Sequence, residues 1–188
     1  MNFSRIEEDG ASAHLETVKL REVLAGVKIM TERLVRERPI RVDFRMDARI
    51  ETIETDAQKL QQILVELATN AVKFTAKGRI DLSARSTRGA GDEFIEIAIA
   101  DSGVGIRQED QALVFEDFRQ LDGSSSRHYG GTGVGLGLCK KLAAALGGKI
   151  SLASEPNVGS TFSLWLPLKP PPLELPRTHS GALLHALN

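Results

Sequence analysis

Three polar side chains, Glu66, Asn70 and Lys73, recur at steps of four and three residues. On a helix turning about 100° per residue they fall in one narrow stripe beside an apolar face. Such a stripe presents a carboxylate, an amide and an ammonium group to the cleft that the helix borders. An amide oxygen is a hard ligand suited to Mg²⁺, which takes few protein ligands and keeps positions for phosphate and water. A lysine adds a point charge for phosphates. Farther along, Gly130-Gly131-Thr132-Gly133-Val134-Gly135-Leu136-Gly137 runs into a helical pattern. A helix start offers unpaired backbone N–H groups and a favourable dipole to phosphate, and without side chains the backbone can close on it. Between the two, Asp101 ends an apolar stretch and opens the turn Asp101-Ser102-Gly103-Val104-Gly105. Its carboxylate can be buried at a strand end while Gly103 and Gly105 let the backbone curl around a ligand.

The elements that must position these groups follow from periodicity. Asp56 has the short acceptor side chain of a helix N-cap, and the helix it opens has Leu60, Ile63, Leu64, Leu67, Ala71 and Phe74 as its apolar face. Upstream, Leu20, Val23, Leu24, Val27, Met30 and Leu34 predict an amphipathic helix ended by Pro39. Ile40, Val42, Phe44 and Met46 then alternate with charged residues as a half-buried strand does. Arg79 to Arg85 and Phe94 to Ala100 form a hairpin about a turn from Arg88 to Asp92. A helix from about Val134 to Leu146 is stopped by Gly147-Gly148, and Lys149 to Ser154 and Ser160 to Leu166 are a final pair of strands. The expected class is α/β (α+β), a two-layer sandwich of helices on a mixed sheet.

With 188 residues, 41% of them hydrophobic, the chain can bury one core, which favours a single domain with some tail. The 24 Lys and Arg nearly balance the 25 Asp and Glu, so no net field points to nucleic acid or an anionic membrane. A single cysteine, Cys139, excludes an intramolecular disulfide framework and fits a reducing cytoplasm; among Leu138, Leu142 and Ala143 it is expected to be a buried, inert thiol. No apolar run approaches the roughly 20 residues of a membrane span, and the N-terminus lacks the apolar core of a signal peptide. The proline-rich run KPPPLELPRTHS from Lys169 onward is expected to be an extended linker or disordered tail, with a docking peptide as the alternative.

Four motifs stand in fixed order: Glu66-Leu-Ala-Thr-Asn70-Ala-Val-Lys73-Phe74-Thr75, the turn at Asp101, Phe115-Glu-Asp-Phe118-Arg-Gln, and the glycines from Gly130 to Gly137. From Thr17 to Leu168 the chain thereby resembles the histidine-kinase catalytic and ATP-binding domain of the GHKL superfamily, whose N, G1, F and G2 boxes these are. The resemblance implies a Bergerat-type fold, a mixed sheet of about five strands covered on one face by about three helices, and a site for ATP and Mg²⁺. It gives Asn70 the metal and makes Asp101 the acceptor for the exocyclic amine of adenine. Guanine places a carbonyl there and would be repelled. Phe74 and Ile106 become apolar contacts around the base, and Thr161 a water-mediated one. Gly131, Thr132, Gly133, Val134, Gly135 and Leu136 form the phosphate cradle, and Gly137 stands where the family usually has alanine or serine. Phe115 and Phe118 anchor a lid from Gln120 to Tyr129, in which Arg127 is the candidate for the γ-phosphate and His128 replaces a customary lysine or arginine. Glu66 has two open roles: to orient or deprotonate an attacking water or acceptor, or to hold a metal-bound water or a neighbouring cation.

A histidine kinase transfers the γ-phosphoryl group to a histidine near the start of a dimerisation hairpin. None of His14, His128, His179 and His185 has that context. Asn2 to Glu8 resembles the end of the hairpin's second helix, which predicts a remnant and linker over 1–16, the catalytic domain over 17–168 and the tail over 169–188. The implied partners are the histidine-bearing phosphotransfer domain of a longer parent and, through it, a response-regulator receiver domain. The fragment itself is expected to be cytoplasmic, in a parent that can be membrane-anchored. The rival readings are a catalytically silent nucleotide-binding regulatory module and a GHKL hydrolase that uses Glu66.

Overall fold

The computed structural model describes residues 13–89, 92–116 and 135–168. Its elements run β1 (Glu16–Lys19), α1 (Leu20–Leu34), β2 (Ile40–Met46), β3 (Thr52–Thr55), α2 (Ala57–Phe74), β4 (Gly78–Gly89), β5 (Asp92–Asp101), α3 (Gly135–Ala145), β6 (Lys149–Glu155) and β7 (Gly159–Pro167), with two short 3-10 turns, Gln108–Asp110 and Leu113–Phe115, after β5. Asp56 caps α2 as its side chain predicts, accepting the Lys59 N–H at 3.0 Å. Gly147, in the left-handed region at φ 71°, ends the helical run of α3.

The main sheet has the order β2-β4-β5-β7-β6. β2 pairs with β4 in parallel, and the remaining neighbours are antiparallel. Period-2 alternation sorts its side chains. Ile80, Leu82, Ile95, Ile97, Ile99, Leu164 and Leu166 are buried in one core with Leu60, Ile63, Leu64 and Leu67 of α2 and Cys139 and Ala143 of α3. The opposite face carries Arg79, Asp81, Glu96, Thr161 and Trp165, in register across the strands. This is the mixed sheet with one helical layer that the sequence predicts.

Two details differ. Leu34 and Phe74, read as members of buried helical faces, are 49% and 40% exposed. Each is the last residue of its helix, where the chain leaves the layer. β1 and β3 also form a separate two-stranded antiparallel sheet that the sequence did not announce. The Asp56 carboxylate holds its approach, accepting the His14 N–H at 3.0 Å as well as the Lys59 ammonium. The Lys59 and His14 donors outweigh its burial and keep this carboxyl below the ordinary aspartate range.

The C-terminal end of α2 is held from outside the helix. Arg38 donates one guanidinium nitrogen to the Val72 carbonyl at 2.8 Å and another to the Thr75 carbonyl, satisfying acceptors that a helix end leaves open. Arg38→Ala is expected to cost about 1–2 kcal/mol, read as a fall in melting temperature of about 2–8 °C. An unchanged melting curve would remove this clamp from the account of α2.

Cys139 is 1% exposed. Burial first, and then the charge of Glu66, push its thiol up to about 12, which leaves it an inert core residue. Among the described residues, no helix is long and apolar enough to cross a membrane.

Candidate functional site

Glu66, Asn70 and Lys73 share the half-buried stripe of α2, as their spacing predicts. Asn70 Nδ2 donates to Glu66 Oε1 at 3.2 Å. An ionised carboxylate only accepts, so the amide nitrogen must face Glu66 and the amide oxygen is turned away from it, where it can serve a hard cation. The Lys73 ammonium sits 5.0 Å from the ring centroid of Phe74, a cation–π distance that holds the charge at the end of the stripe.

The start of α3 lies against the same carboxylate. A Cβ built on Gly135 would come within 1.8 Å of Glu66 Oε1. A larger residue there would have to push the Glu66 side chain aside, so glycine lets the start of α3 approach the α2 stripe with that carboxylate in place, and the structure brings these two motifs together. Leu136 follows, half-buried against the core. Arg127, His128, Gly131, Thr132, Gly133, Val134 and Phe118 lie outside the described residues. Phe115 meets Phe162 of β7 edge-on with ring centroids 6.3 Å apart.

Asp101 terminates β5 beside the end of α2. Its Oδ1 accepts the Gly103 N–H at 2.8 Å, and the next residue, Val104, donates to the Phe74 carbonyl at 3.3 Å. Gly105 has φ 67°, and a Cβ on it would stand 2.0 Å from the Glu155 carbonyl oxygen, so the turn needs glycine twice over. The Ile106 N–H donates to Ser154 Oγ at 2.8 Å. The turn is thereby fastened to α2 on one side and to β6 on the other, with Asp101, Gly103, Gly105, Ile106 and Phe74 in one neighbourhood. Burial raises the Asp101 carboxyl above its ordinary value, against the opposing pull of the Gly103 and Ser160 N–H groups and the Thr75 hydroxyl.

Thr161 stands on the opposite face of β7 from Ser160. Strand register pairs it with Ala100, and pairs Ser160 with Asp101. Successive residues face opposite sides of a sheet, so Thr161 lies toward the helix-free face, where a cavity of about 460 Å³ is bordered by Arg79, Asp81, Ala100 and Thr161 and reaches the strand end at Asp101 and Ser160. That cavity contains no side chain of α2 or α3 and is separate from the stripe at Glu66. Ser160 is the hydroxyl beside Asp101, 7% exposed, with its Oγ 3.0 Å from Ser154 Oγ. Ser160 and Thr75 stand beside Asp101 and were not singled out by motif reading. Counting the β5–β7 register back from Asp101 would have found the first.

Comparisons with known proteins agree with this geometry. Residues 55–170 match the family model described as histidine kinase-, DNA gyrase B-, and HSP90-like ATPase. Sensor histidine kinase AruS of Pseudomonas aeruginosa is 37% identical over 164 residues, covering 86% of this chain but 16% of AruS. The chain thus spans a small part of the length of that relative. Among solved structures, full-length ShkA in complex with AMPPNP superposes with a TM-score of 0.78 at 29% identity, over 90% of this chain and 34% of ShkA. The catalytic domain of histidine kinase ThkA superposes with a TM-score of 0.71 at 25% identity, over 84% of this chain and 97% of that one. With the stripe of α2, the Asp101 turn and the glycine-entered α3 in place, the chain belongs to the histidine kinase-, DNA gyrase B- and HSP90-like ATPase family, as a histidine-kinase ATPase domain.

Proposed function

We propose that residues 17–168 are the catalytic domain of a cytoplasmic protein-histidine kinase portion, which binds Mg-ATP and passes the γ-phosphoryl group to a histidine on the phosphotransfer hairpin of its parent. The observation that carries this reading is Asp101, a half-buried carboxylate at a strand end, in a turn fastened to both α2 and β6, where an adenine amine is the fitting donor. Phe74 and Ile106 flank the base. The site fits a magnesium nucleotide in its donor set: the Asn70 amide oxygen is turned away from Glu66 and the α3 start is open backbone at Gly135. Magnesium held by Asn70 would offset phosphate charge. Lys73 and Arg127 add cationic charge, and the segment from Gly131 to Leu136 cradles the phosphates with backbone N–H groups. In transfer, the bond between the γ-phosphorus and the β–γ bridging oxygen breaks as the histidine nitrogen bonds to phosphorus, and ADP leaves. Positioning and charge stabilisation supply the catalysis. A receiver domain of a response regulator then takes the phosphoryl group from the parent.

Calorimetry of Mg-ATP and Mg-GTP on this chain, followed by transfer to a supplied phosphotransfer hairpin, tests the reading. Saturable ATP binding, weak GTP binding and a phosphorylated hairpin are expected. Nucleotide binding with no transfer to any supplied hairpin would favour the regulatory module. ATP turnover without acceptor, lost in Glu66→Gln, would favour a hydrolase.

A further inference from the structure

Thr75 is 0% exposed, and its hydroxyl oxygen has no hydrogen-bond partner among the described residues. Buried hydroxyls are normally satisfied, and an orphan calls for a reason. The backbone of the same residue is fully engaged. Its N–H donates to the Ala71 carbonyl at 3.1 Å and its own carbonyl accepts from Arg38. Only the side chain is left over.

Its place is informative. Thr75 follows Phe74, whose carbonyl receives the Val104 N–H from the Asp101 turn. The point a Cβ on Gly103 would occupy lies 2.4 Å from the Phe74 carbonyl oxygen and 2.7 Å from Asp101 Oδ1, so the end of α2 and the carboxylate are within a few ångströms of one another. The hydroxyl is near enough to Asp101 to favour its charged form, but it stands outside good hydrogen-bonding geometry with the carboxylate.

We propose that Thr75 is a positioning residue for base recognition: when nucleotide seats, its hydroxyl donates to one Asp101 oxygen and thereby presents the other to the exocyclic amine of the purine. The inference rests on the reading of Asp101 as the base reader. It explains why a fully buried position after a helix end carries a hydroxyl where valine has the same shape without an unsatisfied group. The cost of the orphan is carried by the free protein and recovered in the complex.

Thr75→Val and Thr75→Ser, measured by calorimetry with Mg-ATP and Mg-GTP and by thermal unfolding, test it. Thr75→Val should melt no lower than the parent chain, because the orphan is gone and the volume is kept, while ATP affinity falls about tenfold. GTP affinity should stay where it was, so the ATP-to-GTP ratio falls by the same factor. Thr75→Ser, which restores the donor, should bind ATP within about threefold of the parent. Parental ATP affinity in Thr75→Val would overturn the proposal, as would a Thr75→Ser variant as weak as Thr75→Val. A drop in melting temperature for Thr75→Val would assign the hydroxyl to the fold and overturn it too. A parent chain with no preference for ATP over GTP marks failure of the Asp101 reading, and the Thr75 role falls with it.

Discussion

Asp101→Asn is expected to cost about 3 kcal/mol of ATP binding, a factor of about 100 in affinity, with the fold intact. The carboxylate receives the Gly103 N–H at 2.8 Å on one oxygen. An asparagine can keep that contact through its carbonyl oxygen. Its amide nitrogen then takes the other position, and a donor there meets the donating amine of adenine. Two donors then face each other where one hydrogen bond had been, so the loss exceeds that of a single hydrogen bond. A carbonyl on the base would suit the new amide, so discrimination against GTP should collapse in the same variant. The readout is a pair of calorimetric titrations, and an ATP affinity within threefold of the parent would exclude Asp101 from base reading. The pH dependence adds a second check. Burial keeps the Asp101 carboxyl above the ordinary aspartate range, so the folded chain holds its proton to a higher pH than the unfolded chain does. This one group therefore lowers stability as pH rises through the interval between the two values. ATP, which needs the ionised acceptor, should bind more weakly as pH falls into that interval, and in Asp101→Asn this slope should be absent.

Why the turn at Asp101 was legible and the facing of Thr161 was not is a matter of range. Asp101 announces itself locally, an acid that ends an apolar strand and precedes two glycines at a fixed spacing. The helix beneath it is equally local, since Asp56 caps it and its apolar residues repeat at helical steps. The strand from Ile40 to Met46 agrees to the residue with its alternation. Ser160 and Thr161 are adjacent hydroxyls with no local difference in kind. Which one faces the helices depends on the pairing of β7 with β5, and a shift of one residue exchanges the faces. Register is a tertiary property, and the motif alone does not carry it.

The two-stranded sheet of β1 and β3 escaped for a related reason. Each strand has four residues, and each buries a single large apolar side chain, Val18 or Ile53. Four residues are too few to display a period against the polar positions around them. What makes them strands is their mutual pairing, together with the grip of Asp56 on His14. Arg38 and Thr75 are the same case at the end of α2. An arginine near a proline and a threonine after a helix are ordinary in sequence, and their importance comes from the carbonyls and the carboxylate that folding places beside them.

Asn70→Asp should abolish phosphoryl transfer to a supplied phosphotransfer hairpin, by a factor of at least about 100. Asn70 donates to Glu66 at 3.2 Å, so the substitution sets one carboxylate directly against another. Two such groups cannot both ionise at that separation, and the pair takes up a shared proton. On one side the Glu66 carboxylate already lies against Gly135 at the start of α3. The neutral amide oxygen that fits a cation beside triphosphate is replaced by a group that is either protonated or adds negative charge to a site that must take more of it. ATP affinity should fall less, about tenfold, because the proposed base reader, Asp101, stands on a different element. Single-turnover transfer and calorimetry on the same variant separate the two effects, and full transfer by Asn70→Asp would take Asn70 out of the phosphate chemistry. Adding Glu66→Gln sharpens the test, since glutamine can donate to the new aspartate and rebuild the pair with its polarity reversed. The double variant should regain the melting temperature lost in Asn70→Asp while transfer stays low. Recovery of transfer as well would mean that contact between the two side chains, rather than the amide oxygen of Asn70, is what the site requires.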